Sequence, residues 1–466
     1  MLGALMGFTA VMDMDFHWHL ALGGLALRDG VWPSAEPFSH LPIPAAPDHQ
    51  AWLADTLMAA IHRYFGVSGV RVAAAGVVAL GAAAAFRLGE RRGRARPFGF
   101  AVAAMWLALA DDRFRLRPDL VTLAFVPLIA NILDEAPGKR RDARVFGLTV
   151  LWTNLHPGAV FAPLFALGRI VGPEPWLSAR TAAVALLALA VHPDGPASLL
   201  VYAADTAPLR PLIPEWQRLT DFAIVSFPAA WSALVLILPA SAVLIRRLLL
   251  RRDLLGWHRS RPGDAAVAFA MTYVGVRFTF TLALAATTLI GSLDDGLRKR
   301  WRRPMLVLGV VALSIPIIHL AGEFDAIRQL GATRLFDDAS AGRGFPTDTA
   351  AWISRLNVPL RLGHPPAWGG YLAHALHPSC KTATDGRVTR FGPELARRWA
   401  EIAPPASLEA RCEADHVDMI VMPAGALPIN PSAFGWLPLY SGNDGSIAVL
   451  RAKSPQVNAV KDALRR

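Results

Sequence analysis

Residues 304–321 read PMLVLGVVALSIPIIHLA, a run of eighteen residues without an acidic or strongly basic side chain. About 20 predominantly apolar residues are needed to cross the hydrocarbon core of a bilayer as a helix. Apolar stretches of comparable length occur at 67–88 and 228–245. An ordinary soluble domain does not carry three such segments, so the chain is predicted to be an integral membrane protein.

The composition and the distribution of charge agree with this prediction. Of the 466 residues, 53% are hydrophobic and 18% are charged, whereas soluble domains have about 45–50% and 25%. The net charge of +11 is concentrated in basic clusters beside apolar segments, at 87–96, 139–144, 246–252 and 298–303. Such clusters are typical of short cytoplasmic loops. No aromatic platform for bases accompanies them, so nucleic acid is not a predicted partner.

The alternation of apolar segments and basic loops predicts an α-helical polytopic membrane protein with about nine to eleven spans. A short first span ends at Asp13, and residues 13–66 form the first outer loop. Further helices are predicted near 67–88, 98–110, 119–134, 146–170, 180–191, 228–250, 265–292 and 304–321.

Two of the predicted helices contain polar residues near their middle. Residues 153–158 interrupt the segment 146–170, and Arg277 lies inside 265–292. If each segment is a pair of half-length helices meeting near the outer side, every basic loop remains cytoplasmic. Broken helices at that depth usually line a cavity.

The C-terminal part of the chain is predicted to be a separate soluble domain. Residues 1–321 form the transmembrane domain, and residues 322–466, with shorter apolar runs and more turn residues, form a small extracytoplasmic α/β domain. Strands are predicted at 419–422 and 446–450, and helices at 348–356 and 393–402. The two cysteines of the chain, Cys380 and Cys412, lie in this domain, where a disulfide could form; they form no CxxC motif.

The start of the first outer loop holds the candidate catalytic group. Asp13 and Asp15 precede His17, Trp18 and His19. A carboxylate there could accept a proton from an acceptor hydroxyl, and the neighbouring rings could hold a sugar or an isoprenoid. Alternatively, these residues only mark the membrane interface, as tryptophan commonly does. The two histidines would point to different helix faces, so a tetrahedral metal site is not expected.

A divalent metal ion bound loosely by Asp13 and Asp15 is the one cofactor that the sequence suggests. Phosphate-binding candidates are more numerous. A short loop between two spans carries Arg113, Arg115 and Arg117, and guanidinium groups suit phosphate. Alternatively, the neighbouring acidic residues simply pair with these arginines.

Arg277 is predicted to bind phosphate because an intramembrane charge usually faces a site or a partner. Asn154 and His156, at the predicted break in 146–170, could bond the substrate or cap exposed backbone groups. Glu215 and Trp216 are weaker candidates. The chain has no P-loop, GxSxG, GxGxxG or zinc-protease motif, which argues against a nucleotide motor or a soluble hydrolase.

Several short motifs follow one another along most of the chain. They are Asp15-Phe16-His17-Trp18-His19-Leu20, Pro37-Phe38-Ser39, Trp52-Leu53, Arg117-Pro118, Trp152-Thr153-Asn154-Leu155-His156, Trp368-Gly369-Gly370-Tyr371-Leu372 and Asp385-Gly386-Arg387. With these motifs in this order, the chain resembles bacterial polytopic proteins related to the GT-C superfamily of glycosyltransferases.

The resemblance implies a GT-C-like fold and transfer of a sugar from a polyprenyl-phosphate donor on the extracytoplasmic face. The acceptor would be a glycan, a lipid or a protein, and membrane lipid would surround the helices. In GT-C enzymes an acidic residue of the first outer loop acts as base, a place that Asp15 or Asp13 holds here. The chain departs from the pattern in having His17 where a second tryptophan is common, and in its short first span.

Two other functions remain open on the sequence alone. A non-catalytic membrane protein that binds, moves or scaffolds lipid-linked glycans would need the arginines but no base. Transport of a small solute is the third reading, although the chain shows no internal repeat of the kind that many transporters have.

Overall fold

The computed structural model describes residues 1–9, 14–43, 49–197, 206–217, 261–330, 344–400, 405–426 and 431–466. The protein is mostly helical with one small sheet. The predicted helix at 228–250 and the candidate Asp13 lie outside the described residues.

Contacts divide the chain into two units. The first comprises Met1–Val11, Gly69–Ala203 and Arg210–Ala332, and the second comprises Met12–Ser68, Ala204–Leu209 and Thr333–Arg466. The second unit therefore contains the first outer loop together with the C-terminal region. The domain bounds predicted from the sequence, 1–321 and 322–466, stay a prediction.

Sixteen helices and five strands make up the regular elements of the described residues, apart from short 3₁₀ turns. In chain order, the helices are α1 (Leu2–Phe8), α2 (Phe16–Asp29), α3 (Trp52–Gly93), α4 (Arg96–Leu109), α5 (Leu120–Leu133), α6 (Lys139–Leu155), α7 (Phe161–Gly168), α8 (Pro175–Leu189), α9 (Pro262–Val274), α10 (Leu282–Gly291), α11 (Asp295–Leu330), α12 (Thr347–Leu356), α13 (Pro366–Leu376), α14 (Val388–Ala400), α15 (Pro405–Ala414) and α16 (Val457–Arg465). The strands are β1 (Leu360–Gly363), β2 (Cys380–Thr382), β3 (Met419–Pro423), β4 (Trp436–Ser441) and β5 (Ser446–Arg451).

Two helices of the described residues, Trp52–Gly93 and Asp295–Gly322, are long and apolar enough to cross a membrane. The second packs against α4, while Val307, Val310 and Ile318 on it are 60–70% exposed. Exposed aliphatic side chains on a long apolar helix are what a lipid-facing surface requires. The predicted number of spans and the sides on which the loops lie stay predictions.

Both predicted helix interruptions are confirmed, and they have the same local form. Helix α6 ends before His156, which has extended backbone (φ −166°, ψ 142°) and is followed by a 3₁₀ turn at Pro157–Val160. Helix α9 ends before Gly275, also extended (φ −164°, ψ 134°), and a 3₁₀ turn at Val276–Thr281 follows. Each interruption therefore turns the chain and begins a new helix, so that polar residues lie between two helix ends.

A buried ionic cluster joins four helices of the first unit. Arg92 contacts Asp134 at 2.9 Å and Asp264 at 2.6 Å, and Arg169 contacts Asp264 at 2.8 Å. We call these four residues the Arg92 cluster. Their side chains are 10% exposed or less, so the cluster ties α3, α5, α9 and the end of α7 together by charge rather than by apolar packing.

The sheet of the second unit has the strand order β2-β1-β3-β5-β4. Strands β2, β1 and β3 are parallel, whereas β5 pairs antiparallel with β3 and with β4. The strands predicted at 419–422 and 446–450 are β3 and β5, and the predicted helices overlap α12 and α14, with 401–402 outside the described residues. These four sequence predictions are confirmed.

The first outer loop extends this sheet and covers one of its helices. Thr382 donates its backbone N–H to the carbonyl oxygen of Phe38 at 2.9 Å, and His40 donates to the carbonyl oxygen of Thr382 at 3.0 Å. Helix α2 packs against α13. The apolar face of α2 is thus covered by protein of the same unit.

The two cysteines are free and buried on opposite faces of the sheet. Cys380 packs with Leu360 and Met419, while Cys412 packs with Ile420 and Val449. Because side chains alternate between the two faces of a strand, the sheet itself separates the thiols. The disulfide that the sequence left open does not form in this structure.

Candidate functional site

Three arginines and two carboxylates come together in the first unit, and we call them the Arg277 cluster. They come from the loop after α4, the turn at Pro214–Trp216 and the 3₁₀ turn at Val276–Thr281. The cluster consists of Arg113, Arg117, Arg277, Asp119 and Glu215.

Arg113 is the buried centre of this cluster. Its guanidinium group, whose side chain is 3% exposed, donates to both Asp119 and Glu215. Two nitrogens of the guanidinium group are thus each paired with a carboxylate. The alternative considered for this loop, that neighbouring acids pair with the arginines, therefore describes Arg113 well.

Arg277 is held more loosely. Arg277 lies 3.7 Å from Asp119 and 3.9 Å from Glu215, and Arg117 lies 3.8 Å from Glu215. These distances exceed those of hydrogen-bonded ion pairs. The guanidinium carbon of Arg277 also lies 5.8 Å from the centre of the Trp216 ring, within the range of a cation–π contact.

Three arginines face two carboxylates within 4 Å in the Arg277 cluster, and the charge of Asp112 also acts on Arg113. The Arg92 cluster has the same proportion when Arg261, 3.7 Å from Asp134, is counted, but its four members contact one another at 2.6–3.0 Å. The Arg277 cluster therefore differs in the length of the ion pairs that Arg277 makes with both carboxylates. Chemically, it can accept an anionic oxygen without first losing a full hydrogen-bonded pair.

Arg115 and Asp111 make other contacts. Arg115 donates to the backbone carbonyl of Asp112 at 3.2 Å, and Asp111 contacts His319 at 3.0 Å.

His156 is held by hydrogen bonds in one orientation. Its Nδ1 accepts the backbone N–H of Gly158 at 3.0 Å and lies 2.8 Å from the Thr122 hydroxyl, which accepts the indole N–H of Trp152 at 3.0 Å. Because Gly158 can only donate, a neutral His156 carries its proton on Nε2. Asn154 donates to the carbonyl oxygens of Val150 and Val191, both at 2.8 Å. The side-chain amide of Asn154 therefore caps backbone carbonyl groups.

Asp15 stands immediately before α2 and is held from two sides within the second unit. Its Oδ1 accepts the indole N–H of Trp18 at 3.0 Å. A Cβ atom added to Gly386 would overlap this same oxygen. The carboxylate is thereby held in one position by one donor and by close packing.

His17 and His19 are both buried, 1% and 6% exposed. His17 packs edge-on against Phe345 and Tyr371, with ring centres 4.8 and 4.9 Å away. His19 Nδ1 lies 2.6 Å from the Asp55 carboxylate. The three aromatic residues predicted to bind substrate thus make protein contacts in this structure, and their role toward a substrate stays a prediction.

Arg387 of the Asp385-Gly386-Arg387 motif forms a third buried ionic group, which we call the Arg387 cluster. It donates to Asp385 at 2.6 Å and to Glu36 at 2.9 and 3.0 Å, and Arg390 donates to Glu36 at 2.7 Å. Burial alone would raise the pKa of Glu36, but the charge and hydrogen bonds of Arg387 outweigh it and hold that pKa at about 2. Burial lowers and the two carboxylates raise the pKa of Arg387, with a net increase.

The described residues contain no group of three or more histidine, cysteine, aspartate or glutamate side chains arranged to hold a metal ion. The suggested pair of aspartates includes Asp13, outside the described residues, so loose metal binding there stays a prediction.

From the sequence, Glu215 is only a weak candidate and Glu36 is not a candidate. Each nevertheless contacts at least two arginines of its cluster. Glu215 is 102 residues from Arg113, and Glu36 is 351 residues from Arg387. The available signal for Glu36 was its position directly before the Pro37-Phe38-Ser39 motif.

Comparison with known proteins gives a likeness of fold. No protein-family model and no curated protein sequence matches the chain. The crystal structure of ArnT from Cupriavidus metallidurans bound to undecaprenyl phosphate is similar at a TM-score of 0.54 and 12% identity, covering 97% of this chain and 96% of that chain.

The archaeal oligosaccharyltransferase AglB from Archaeoglobus fulgidus, in complex with an inhibitory peptide and a dolichol-phosphate, has a TM-score of 0.49, 12% identity and coverage of 97% and 73%. The likeness to ArnT, which extends over nearly the whole chain, shows a shared fold.

Proposed function

We propose that the protein is a glycosyltransferase that moves a sugar from a polyprenyl-phosphate donor to a glycan, lipid or protein acceptor on the extracytoplasmic face of the bacterial inner membrane. The observation that carries the proposal is the Arg277 cluster, in which Arg277 lies 3.7 and 3.9 Å from its two carboxylates and can therefore exchange one of them for a lipid phosphate. The likeness of fold to ArnT, whose structure is bound to undecaprenyl phosphate, supports the same reaction class by analogy.

The roles follow from the geometry of each group. Arg277 and Arg117 bind the donor phosphate, while Arg113 mainly keeps Asp119 and Glu215 in place. His156 presents an Nε2–H donor to a substrate oxygen. Arg115, Asn154, His17 and His19 complete the predicted substrate contacts.

Asp15 acts as general base in this proposal. Its carboxylate takes the proton of the acceptor hydroxyl or amine as the acceptor atom attacks the anomeric carbon. The bond between that carbon and the phosphate oxygen breaks, and polyprenyl phosphate leaves with the electron pair. The arginines stabilise the negative charge that builds up on the departing phosphate.

A deletion strain tests the proposal even though the sugar is not identified. The strain is complemented with wild type, Asp15→Asn or Asp29→Asn, and lipid-linked and envelope glycans are profiled by mass spectrometry. Asp29 is a matched control because it is an exposed acid at the other end of α2, paired with Arg28. We expect a sugar-carrying polyprenyl phosphate to accumulate in the deletion and in Asp15→Asn, and not with Asp29→Asn.

If Asp15→Asn restores the wild-type profile at an equal amount of protein, Asp15 is not the base. The non-catalytic alternative, a protein that binds, moves or scaffolds lipid-linked glycans, would then be the better account. That alternative requires Arg277 and Arg117 and has no need of a base.

A further inference from the structure

The Asp385-Gly386-Arg387 motif directly follows β2, at the same sheet edge where β1 ends in Gly363. Its arginine is 4% exposed and uses both carboxylates of its cluster. A buried guanidinium with two bidentate partners has almost no freedom to move. The adjacent Gly386 is therefore held in a defined position.

The Arg387 cluster reaches Asp15 by two contacts within the second unit. Gly386 lies so close to Asp15 Oδ1 that no side chain fits between them. The guanidinium carbon of Arg387 lies 6.0 Å from the centre of the Trp18 ring, and the indole N–H of Trp18 donates to the same Oδ1 at 3.0 Å. One carboxylate oxygen of Asp15 is thus defined by a hydrogen bond and by backbone packing.

The Trp368-Gly369-Gly370 motif supports the other side of this arrangement. A Cβ on Gly369 would overlap the carbonyl oxygen of Thr384, just before the Asp385 motif, and one on Gly370 would lie 2.9 Å from the carbonyl oxygen of Met14. Gly370 therefore allows α13 to approach the backbone around Asp15, and Gly369 allows it to approach the backbone just before Asp385. The Trp368 motif and the Asp385 motif, both far along the chain from α2, therefore pack against the start of that helix.

We propose that Arg387, acting through Gly386 and Trp18, is a positioning residue for Asp15, so that the C-terminal region sets the orientation of the catalytic carboxylate. This inference rests on the proposed function of Asp15 as base. A base must be held within a fraction of an ångström of its productive geometry to work well. The Arg387 cluster supplies that restraint from a part of the sequence that touches no substrate in the proposed mechanism.

Two variants perturb the restraint with little change in volume. Trp18→Phe removes the indole N–H and keeps an aromatic ring, and Gly386→Ala adds one methyl group against Asp15. The matched controls are Trp352→Phe, whose ring stacks on Tyr440 5.0 Å away, and Gly24→Ala, in α2 with nothing within 4 Å of its Cβ. Transfer is measured in membranes with the lipid-linked sugar that accumulates in the deletion strain.

We expect Trp18→Phe and Gly386→Ala each to lower the maximal transfer rate about tenfold or more, with the half-saturating lipid concentration unchanged. The controls should keep the wild-type rate. Wild-type transfer rates in both Trp18→Phe and Gly386→Ala would overturn the proposal.

A spectroscopic measurement separates this inference from the proposed function. In protein labelled with ¹⁵N-tryptophan, Trp18→Phe identifies the Trp18 indole N–H signal among those of the 14 tryptophans. We expect that signal to move in Asp15→Ala and in Gly386→Ala, and to stay in place in Gly24→Ala. An unmoved signal in Asp15→Ala would refute the positioning contact even if transfer is confirmed. A moved signal in a protein without transfer activity would leave the contact intact and remove only the catalytic role.

Discussion

Replacing Arg277 with glutamine is expected to weaken the binding of undecaprenyl phosphate without lowering the amount of folded protein. The side chain is 13% exposed and its nearest carboxylate atoms are 3.7 and 3.9 Å away. Asp119 and Glu215 keep Arg113 as a close partner when Arg277 is lost. The substitution therefore removes a ligand contact and leaves no buried charge without a partner.

The size of the effect follows from the kind of contact that is removed. A hydrogen bond to a charged group contributes about 1.5–3 kcal/mol, and each 1.4 kcal/mol changes a dissociation constant about tenfold. We expect Arg277→Gln to raise the Kd for undecaprenyl phosphate roughly 10- to 100-fold. The assay is titration of the purified full chain in lipid nanodiscs, with protein amount and melting temperature recorded alongside.

Arg113→Gln should behave in the opposite way. Removing this buried cation leaves Asp119 and Glu215 close together with only the other arginines of the cluster, and breaking a buried pair costs about 3–5 kcal/mol. The variant should accumulate poorly or melt early. Arg144→Gln, at an exposed residue paired with Glu135, should change neither quantity. A wild-type Kd in Arg277→Gln, or normal stability in Arg113→Gln, would refute this assignment of the two arginines.

Three further predictions concern the two units. Burial lowers the pKa of His364 to about 4 from an ordinary value near 6.5, so the folded protein resists protonation of this side chain. The stability of the second unit should therefore be complete above pH 6.5 and fall by up to about 3 kcal/mol as the pH drops to 4. Denaturant midpoints that stay equal at pH 7 and 4.5 would contradict this. Gly263→Ala would place a Cβ atom on the backbone of α7 and should lower the free energy of unfolding by about 1–3 kcal/mol. The control is Gly76→Ala, whose Cβ atom meets nothing within 4 Å, and the measurement is the melting temperature. Equal melting temperatures would show that α7 and α9 are not in close contact. Burial raises the thiol pKa of Cys380 to about 11 and of Cys412 to about 12, so neither thiol should react with iodoacetamide in the folded protein. Labelling is measured by mass spectrometry, and rapid labelling would disprove the buried placement.

Predictions from the sequence succeeded where the physical cause is local. The breaks before His156 and near Arg277 could be predicted because polar groups inside an apolar helix need partners at that position. Strands β3 and β5 could be predicted from short apolar runs that end in turn residues. The cover over α2 could not, because the same apolar face would suit a membrane surface or a protein partner.

The candidate site was only partly predictable. Arg113, Arg117 and Arg277 could be singled out individually, since a charge beside apolar segments is conspicuous in a sequence. Their acids could not be assigned, because Asp111, Asp112, Asp119 and Glu215 are chemically equivalent until the chain is folded. The structure pairs Arg113 with Asp119 and Glu215 and leaves Asp111 to His319.

The amino-acid sequence by itself determined the class of protein and the types of residue available for chemistry, because hydropathy and charge are properties of short segments and do not depend on distant contacts. Only the tertiary structure decided which charges neutralise one another and which part of the chain holds Asp15. The contact between Glu36 and Arg387 closes a loop of about 350 residues, and a contact of that length leaves no trace in local sequence patterns. Its existence depends on the packing of α2, α13 and the sheet, which bring the two side chains together.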